Sequence, residues 1–359
     1  MIEIDIRPVW RFRAGEAERE FDFALVTLLA GIEGTGKLTQ AAEGANMSYR
    51  HAWNLVADWE AFFGAPLVSK AKGRGTSLTR LGQRLLRAGQ RAQSRLAPEL
   101  ENLAGEFARQ LNETLTETVP SLIMLASHDY AVAALRGLSA ASVAGLDLQY
   151  RGSFDALAAL RRGECDVAGF HVPEGPLGDL MRRRYREFLP PSQFLLITLV
   201  LRNQGFIVKR GNPRGIRGVA DLVRQDVRLV NRQRGSGTRA LLEYLITAAG
   251  LERDAIRGYD TEETTHGAVA ALVAGHQADA GFGVEAAAVE YGLDFVPVCR
   301  ERYYLACRAG DIDSAPVAAL RTLLQGSAFR GWVAGLPGYS AADAGIVRED
   351  FEVAPATLA

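Results

Sequence analysis

Cysteine is scarce in this chain of 359 residues, and Cys165, Cys299 and Cys307 are widely spaced with no CxxC pair. That pattern excludes a disulfide framework and a zinc knuckle. Long hydrophobic runs are missing too, so no segment reads as a membrane span. The N-terminus, Met1-Ile-Glu-Ile-Asp-Ile-Arg7, alternates apolar and charged residues like a short strand and lacks the apolar core of a signal peptide. The expected compartment is the cytoplasm, with no membrane partner. Net charge is nearly absent, at −1, so any affinity for nucleic acid has to come from a local patch. Catalytic signatures are absent as well. Ser127, His128 and Asp129 are consecutive, but the side chains of neighbours diverge too far to form a triad, and neither a nucleophile elbow nor an HExxH helix is present. Neither an enzymatic activity nor a cofactor is expected. Gly31-Ile-Glu-Gly-Thr-Gly-Lys37 imitates a phosphate loop, yet Leu38 stands where Ser or Thr would hold magnesium, and a helix precedes it.

What is present is enough apolar content, 48%, for two or three domains. One basic patch stands out. Between Ala61 and Pro98 lie Lys70, Lys72, Arg74, Arg80, Arg84, Arg87, Arg91 and Arg95, with no Asp or Glu among them. The patch begins inside a recognisable local pattern. Phe21 to Ala30 has helical periodicity, a short alanine-rich segment runs from Leu38 to Asn46, and Ser48 is placed as N-cap of a helix over Tyr49 to Phe63. In that helix Ala52, Leu55, Val56 and Trp59 face inward, while Tyr49, Arg50, His51 and Asn54 face out. Two helices at a tight turn make a helix-turn-helix. Pro66 to Thr79 follows as two β-like pieces around a basic, Gly-rich tip, which reads as a wing. From Leu81 an apolar helical stripe continues to about Leu111, with Pro98 its only proline.

Four segments, Thr35-Gly-Lys-Leu-Thr-Gln-Ala-Ala42, Met47-Ser-Tyr-Arg-His-Ala-Trp53, Ala65-Pro-Leu-Val68 and Leu78-Thr-Arg-Leu-Gly82, together resemble the winged helix of the bacterial molybdate-responsive regulators, a relative of the LysR-type DNA-binding domain. The resemblance implies that Ser48, Tyr49, Arg50, His51 and Asn54 face a major groove and that Lys70, Lys72 and Arg74 contact phosphates. It also implies that the long helix pairs subunits into a homodimer or tetramer, which would read a pseudo-palindromic double-stranded DNA operator.

From Pro120 the texture changes to short apolar strands alternating with helices: Leu122 to Ala126, Leu146 to Tyr150, Asp166 to Phe170, Leu195 to Leu201, Val227 to Val230, Ala278 to Phe282 and Phe295 to Val298. This alternation predicts an α/β architecture with mostly parallel strands and ligands at their carboxyl ends. Within it, Asn231-Arg-Gln-Arg-Gly-Ser-Gly-Thr-Arg239 breaks from strand into helix, offering backbone N–H groups, two hydroxyls and a positive helix end to a small anion. The plainer reading is that Ser236 or Thr238 only caps the helix.

Arg151 to His171, Asn231 to Thr238 and Ala278 to Gly283 resemble the type II periplasmic-binding-protein superfamily, in its molybdate- and tungstate-binding class. By that resemblance Ser127, Ser153, Ser236, Gly237 and Thr238 hold an oxyanion, with Arg234 or Arg239 as charge partner. His128 and His171, at two strand ends, either support the site or directly contact a smaller carboxylate such as formate. Arg182 to Arg184 with Arg186 are expected on a solvated or subunit-facing loop, and Tyr303 and Tyr304 in core or hinge packing.

The combined expectation is an α/β protein: an N-terminal winged helix-turn-helix over residues 1–88, a long linker and dimerisation helix over 89–119, and a two-lobed type II periplasmic-binding-protein-like α/β domain over 120–359. The implied function is a bacterial transcriptional regulator that senses a small anionic effector, molybdate or tungstate. The alternatives are the same regulator sensing a small carboxylate, and a molybdate carrier or storage protein without DNA activity.

Overall fold

The computed structural model describes residues 2, 4–71, 75–115, 122–139 and 145–351. The alternating start of the chain is not a strand: residues 4–9 take no regular structure, and the first pairing is the antiparallel hairpin of β1 (Trp10–Ala14) and β2 (Ala17–Phe21). Its charged side chains face solvent, while Phe12 and Phe21 turn onto the helices behind.

Those helices are α1 (Ala24–Thr35), α2 (Leu38–Gly44) and α3 (Tyr49–Phe63). Gly31 lets α1 and α2 close on each other, since a Cβ there would lie 2.9 Å from the Ala41 Cβ. The start of α3 is fixed by Ser48, whose hydroxyl oxygen accepts from the His51 N–H at 3.2 Å, and its end by Gly64 at φ +62°. Trp59 is fully buried on the inner face of α3, edge-on or tilted against Phe12, Phe21, Phe62 and Phe63 at centroid distances of 5.3–5.5 Å. The wing is the antiparallel pair β3 (Val68–Ala71) and β4 (Gly75–Leu78).

A single helix, α4 (Arg80–Leu115), runs on from the wing. Its first half is fastened by Arg91 to Glu263 at 2.7 Å and by the Ser94 hydroxyl to the Tyr291 hydroxyl at 2.7 Å. Past Pro98, Asn102 bonds both backbone groups of Tyr150, at 2.7 and 3.1 Å, and Arg109 meets Asp147 at 3.2 Å. The basic stretch is therefore partly spent inside the molecule, with Arg87 also paired to Glu33.

The remaining chain builds one curved sheet. Its first half is β5 (Leu122–Ala126), α5 (Tyr130–Ser139), β6 (Leu146–Tyr150), α6 (Ser153–Arg162), β7 (Val167–Pro173) and α7 (Leu177–Arg186). Then β8 (Phe194–Val208) crosses into a second half of β9 (Leu229–Arg232), α8 (Gly237–Ala248), β10 (Glu262–Glu263), α9 (His266–Ala274), β11 (Ala280–Val284) and α10 (Glu285–Glu290). The return is β12 (Asp294–Arg308), followed by α11 (Ala315–Gln325), α12 (Ser327–Ala334) and the short β13 (Tyr339–Ser340) and β14 (Val347–Arg348) on the β8 edge. The main path is β10-β9-β11-β8-β12-β7-β5-β6. β5, β6 and β7 are parallel, as are β9, β10 and β11, and each set is joined antiparallel to a crossing strand.

The two crossing strands are fifteen residues each, far longer than the apolar runs Leu195 to Leu201 and Phe295 to Val298 suggested. Their middles are polar, because there they leave one lobe's core before entering the other. The arginine-rich stretch after residue 176 is a helix, α7, in which Arg182 is buried and bonded to the Gly175 carbonyl at 2.8 Å.

Trp59→Ala empties the centre of the aromatic cluster and should destabilise the N-terminal region by about 3–5 kcal/mol; urea unfolding followed by circular dichroism measures it.

Candidate functional site

The register of the crossing strands sets Arg202 of β8 opposite Glu301 of β12, both fully buried. Arg202 donates to one Glu301 oxygen at 2.9 and 3.2 Å and bridges to Asp129, just beyond β5. Asp129 in turn accepts from the Tyr339 hydroxyl at 2.6 Å and the Ala131 N–H at 2.7 Å. The second Glu301 oxygen lies 3.1 Å from His171 Nδ1. Burial works against the Glu301 carboxylate, but His171 and Arg202 outweigh it and hold its pKa down at about 2. The Tyr303 hydroxyl donates to the Ser127 carbonyl at 2.8 Å and sits 3.0 Å from the Ser127 hydroxyl. Tyr303, expected as hinge or core packing, thus takes up the Ser127 hydroxyl.

The second wall is the turn from β9 into α8. Gly235, at φ +83°, makes the turn that only glycine adopts freely. Ser236 caps α8, its oxygen accepting from the Arg239 N–H at 3.1 Å. A Cβ at Gly237 would lie 2.8 Å from His171 Nε2 and 3.2 Å from the Tyr185 hydroxyl, and a Cβ at Gly152 would lie 2.8 Å from the Gly235 carbonyl. The two halves therefore touch where Gly152 and Ser153 meet residues 235–237.

Around this contact several buried polar atoms lack a hydrogen-bond partner: Ser153 Oγ, Tyr185 Oη, His128 Nδ1, His266 Nδ1, both Gln204 amide atoms and one terminal nitrogen of Arg232. Ser153 and Tyr185 are close neighbours, but neither completes a bond to the other. Arg232 is the last residue of β9. It donates to the Gln233 side chain at 3.1 Å and to the Thr264 carbonyl at 2.9 Å, both uncharged acceptors. Burial and the nearby Arg202 pull its pKa down to about 9, so it is still a cation at neutral pH. His128 is lowered to about 4 by burial and Arg232; burial also lowers His171, and lowers His266 well below its ordinary value with help from Arg232 and Arg202. Arg202 pairs with Asp129 and Glu301, while a third buried carboxylate, Glu263, stands opposite Arg232 in the β9–β10 register and pairs with Arg91, so the hydrogen bonds of Arg232 go only to uncharged acceptors. Such a constellation suits a small anion.

The expected residues divide accordingly. Ser153, His171, Ser236 and Gly237 lie at the contact between the halves, Ser127 is bonded to Tyr303, His128 lies against Tyr150, and Thr238 is buried in the first turn of α8. Arg234 does not: its side chain is 78% exposed and reaches Glu262 at 3.4 Å and Asp260 at 3.6 Å. Arg239 is buried but bound to Glu243 at 2.8 Å. The cation at the site is Arg232, which the sequence reading passed over with Tyr185, Arg202, Gln204 and Glu301. The signal lay in Arg202-Asn-Gln204 and Arg300-Glu-Arg302, polar triplets embedded in long β-rich runs.

On the opposite end of the chain, Tyr49, at 50% exposure, lies with Arg50, His51 and Asn54 on the open face of α3, and Trp53, at 40% exposure, joins them. The Ser48 oxygen is engaged in its cap. The Lys70 side chain, Lys72 and Arg74 lie outside the described residues. Among the described residues, no cluster of His, Cys, Asp and Glu is placed to hold a metal ion, and no helix is long and apolar enough to cross a membrane.

Comparison with known proteins gives relatives for both the sequence and the architecture. YvgK of Bacillus subtilis, an uncharacterized protein, is 37% identical over 155 residues, which make up 43% of this chain and 50% of YvgK, so the chain spans only half the length of that relative. An uncharacterized protein from the 5′ region of a 2Fe-2S ferredoxin gene in Clostridium pasteurianum is 31% identical over 106 residues, 29% of this chain and 94% of its own. Among solved structures, HypT of Salmonella typhimurium, a hypochlorite-specific LysR-type transcriptional regulator, aligns with TM-score 0.44 at 12% identity, covering 84% of this chain and 97% of that one. Vibrio fischeri DarR in complex with DNA aligns with TM-score 0.41 at 14% identity, covering 84% and 98%. A family model described as the PBP superfamily domain matches residues 136–325, just over half of the chain. Those residues run from within α5 to the end of α11 and include both crossing strands and the α8 turn: the chain belongs to the PBP superfamily.

Proposed function

We propose that this chain is a one-component transcriptional regulator of the cytoplasm, in which α3 reads the major groove of an operator and the interlobe cleft binds a small anionic effector. The observation that carries the effector half is Arg232, a buried guanidinium at the end of β9 with one nitrogen unpartnered and its other hydrogen bonds made to uncharged acceptors. The first ligand reading is molybdate or tungstate, held by Arg232, Ser153 and the backbone N–H groups at Gly237 and Thr238, as a tetrahedral oxyanion accepts many donors at once. A small carboxylate such as formate is the second reading, supported by the two histidines His128 and His171, both of whose pKa values burial lowers. Pairing of two copies follows from α4, where Leu103 and Phe107, one turn apart and 55% and 52% exposed, offer an apolar stripe. Paired subunits set two α3 helices on successive half-sites.

A thermal-shift series with the sodium salts of molybdate, tungstate, sulfate and formate tests the cleft. A ligand at a hundredfold its Kd adds about 2.7 kcal/mol to the folded state, and Arg232→Gln should weaken that ligand by tenfold or more, since hydrogen bonds to charged groups contribute about 1.5–3 kcal/mol. An unchanged shift in Arg232→Gln removes Arg232 from the site.

DNA binding is tested separately by fluorescence anisotropy with the protein's own promoter region. Arg50→Glu should abolish sequence-selective binding while leaving the anion-dependent thermal shift intact. Equal selective binding by both proteins removes Arg50 from the interface, and no selective binding by the unaltered protein leaves the carrier reading standing.

A further inference from the structure

We infer that the cleft takes up its anion together with one proton, held by His171 between the Glu301 carboxylate and the bound anion. The inference rests on the anion-site reading above and adds the stoichiometry of protons to it.

Glu301 is ionised, and an ionised carboxylate only accepts hydrogen bonds. At 3.1 Å from it, His171 Nδ1 must therefore carry the ring hydrogen. In the neutral ring that leaves Nε2 as a lone pair. The ring edge of Nε2 and Cε1 faces Gly237, at the first turn of α8, both atoms within 2.8 Å of where a Cβ would stand. A lone pair there repels an anion seated at the α8 N-terminus, whereas an Nε2–H donates to it. The surroundings decide which form is present. His171 is faced by Glu301 and Tyr303 from β12, Arg202 from β8, Asp129 from the loop after β5, Tyr185 from α7 and His266 at the start of α9. Without an anion, burial and the arginine charge keep the ring neutral. A bound anion reverses the local charge, and the carboxylate already behind the ring stabilises the imidazolium. Neither His128 nor His266 has a carboxylate hydrogen-bonded to its ring, so they are poorer holders of the proton. The proton comes from solvent and returns to it when the anion leaves; no other bond changes.

Because the free ring is neutral and the bound ring charged, binding strengthens as pH falls, by about tenfold per pH unit for one proton. Isothermal titration of the full chain with sodium molybdate and with sodium formate, each in PIPES and in Tris, reads the protons directly from the difference in heat between buffers. The expected result is uptake of about one proton per anion and a Kd that loosens about tenfold per unit of rising pH. Binding with equal heats in both buffers overturns the inference and leaves the anion site intact; no binding of any anion overturns both. Nitrogen-15 spectra of the histidine rings place the proton, with the His171 signal assigned by its loss in His171→Gln. Conversion of that ring from neutral to imidazolium on adding molybdate or formate supports the assignment, and a ring that stays neutral refutes it.

Discussion

The salt bridge of Arg202 with Asp129 and Glu301 is the constraint on which the cleft depends. Three ionisable side chains are taken out of water at the level where β8 and β12 leave one lobe for the other, and they are bonded to one another there. Removing one partner of such a buried set typically costs about 3–5 kcal/mol, because the survivors are stranded. The cluster fixes the pairing of Arg202 with Glu301, ties the loop after β5 through Asp129 to β13 through Tyr339, and orients His171. Its less obvious effect is on Arg232. With Asp129 and Glu301 committed to Arg202, and Glu263 to Arg91, the second guanidinium keeps only uncharged hydrogen-bond acceptors, and on the proposed reading its attraction for an anion comes from that imbalance of partners.

The same cleft is mechanically tied to α4. Glu263, which holds Arg91, stands three residues before His266. Tyr150, which Asn102 grips by its backbone, lays its ring 5.0 Å from the ring of His128. One helix thus grips both lobes of its own chain, and Pro98, which cannot donate the helical hydrogen bond, lies between the two grips. A change in the angle between the lobes has to be accommodated along α4, whose first turn leads directly out of the wing. Coupling between two sites requires an element with two arrangements that both sites bias. In this chain α4 is the element in contact with both.

Much of this was legible in the sequence where local chemistry decides structure. The strands from Leu122 to Ala126 and from Leu146 to Tyr150 match their apolar runs residue for residue, and Ser48 and Gly64 bound α3 as caps do. The turn at residues 235–238 also opens α8, where Ser236 caps the helix with its oxygen, as the plainer reading expected. What the sequence hid was decided by distance along the chain. A strand was expected to stop where polarity begins, so β8 and β12 were cut short at Leu201 and Val298. Only the pairing of one triplet with the other, about a hundred residues away, keeps those polar residues in the sheet. The same blindness affected Arg232 and Arg234: both read as loop arginines, but β9 extends to Arg232 and carries it inward, while Arg234 falls past the turn.

For the proposed regulator, the unpartnered atoms around Arg232 supply a way for a small ligand to do conformational work. With the lobes apart, water satisfies Ser153, Tyr185, Gln204, His128 and the free Arg232 nitrogen. Bringing Gly152 against Gly235 removes that water, and each buried polar group left without a partner costs about 1–3 kcal/mol. Apposition of the lobes is thus penalised by the groups that line their contact. An anion that supplies partners to several of them at once cancels the penalty only in the closed arrangement, and such a difference in affinity between two states is the only means by which a ligand shifts an equilibrium. Selectivity then follows less from total charge than from how many of these fixed donors one small anion can reach without forcing the lobes apart.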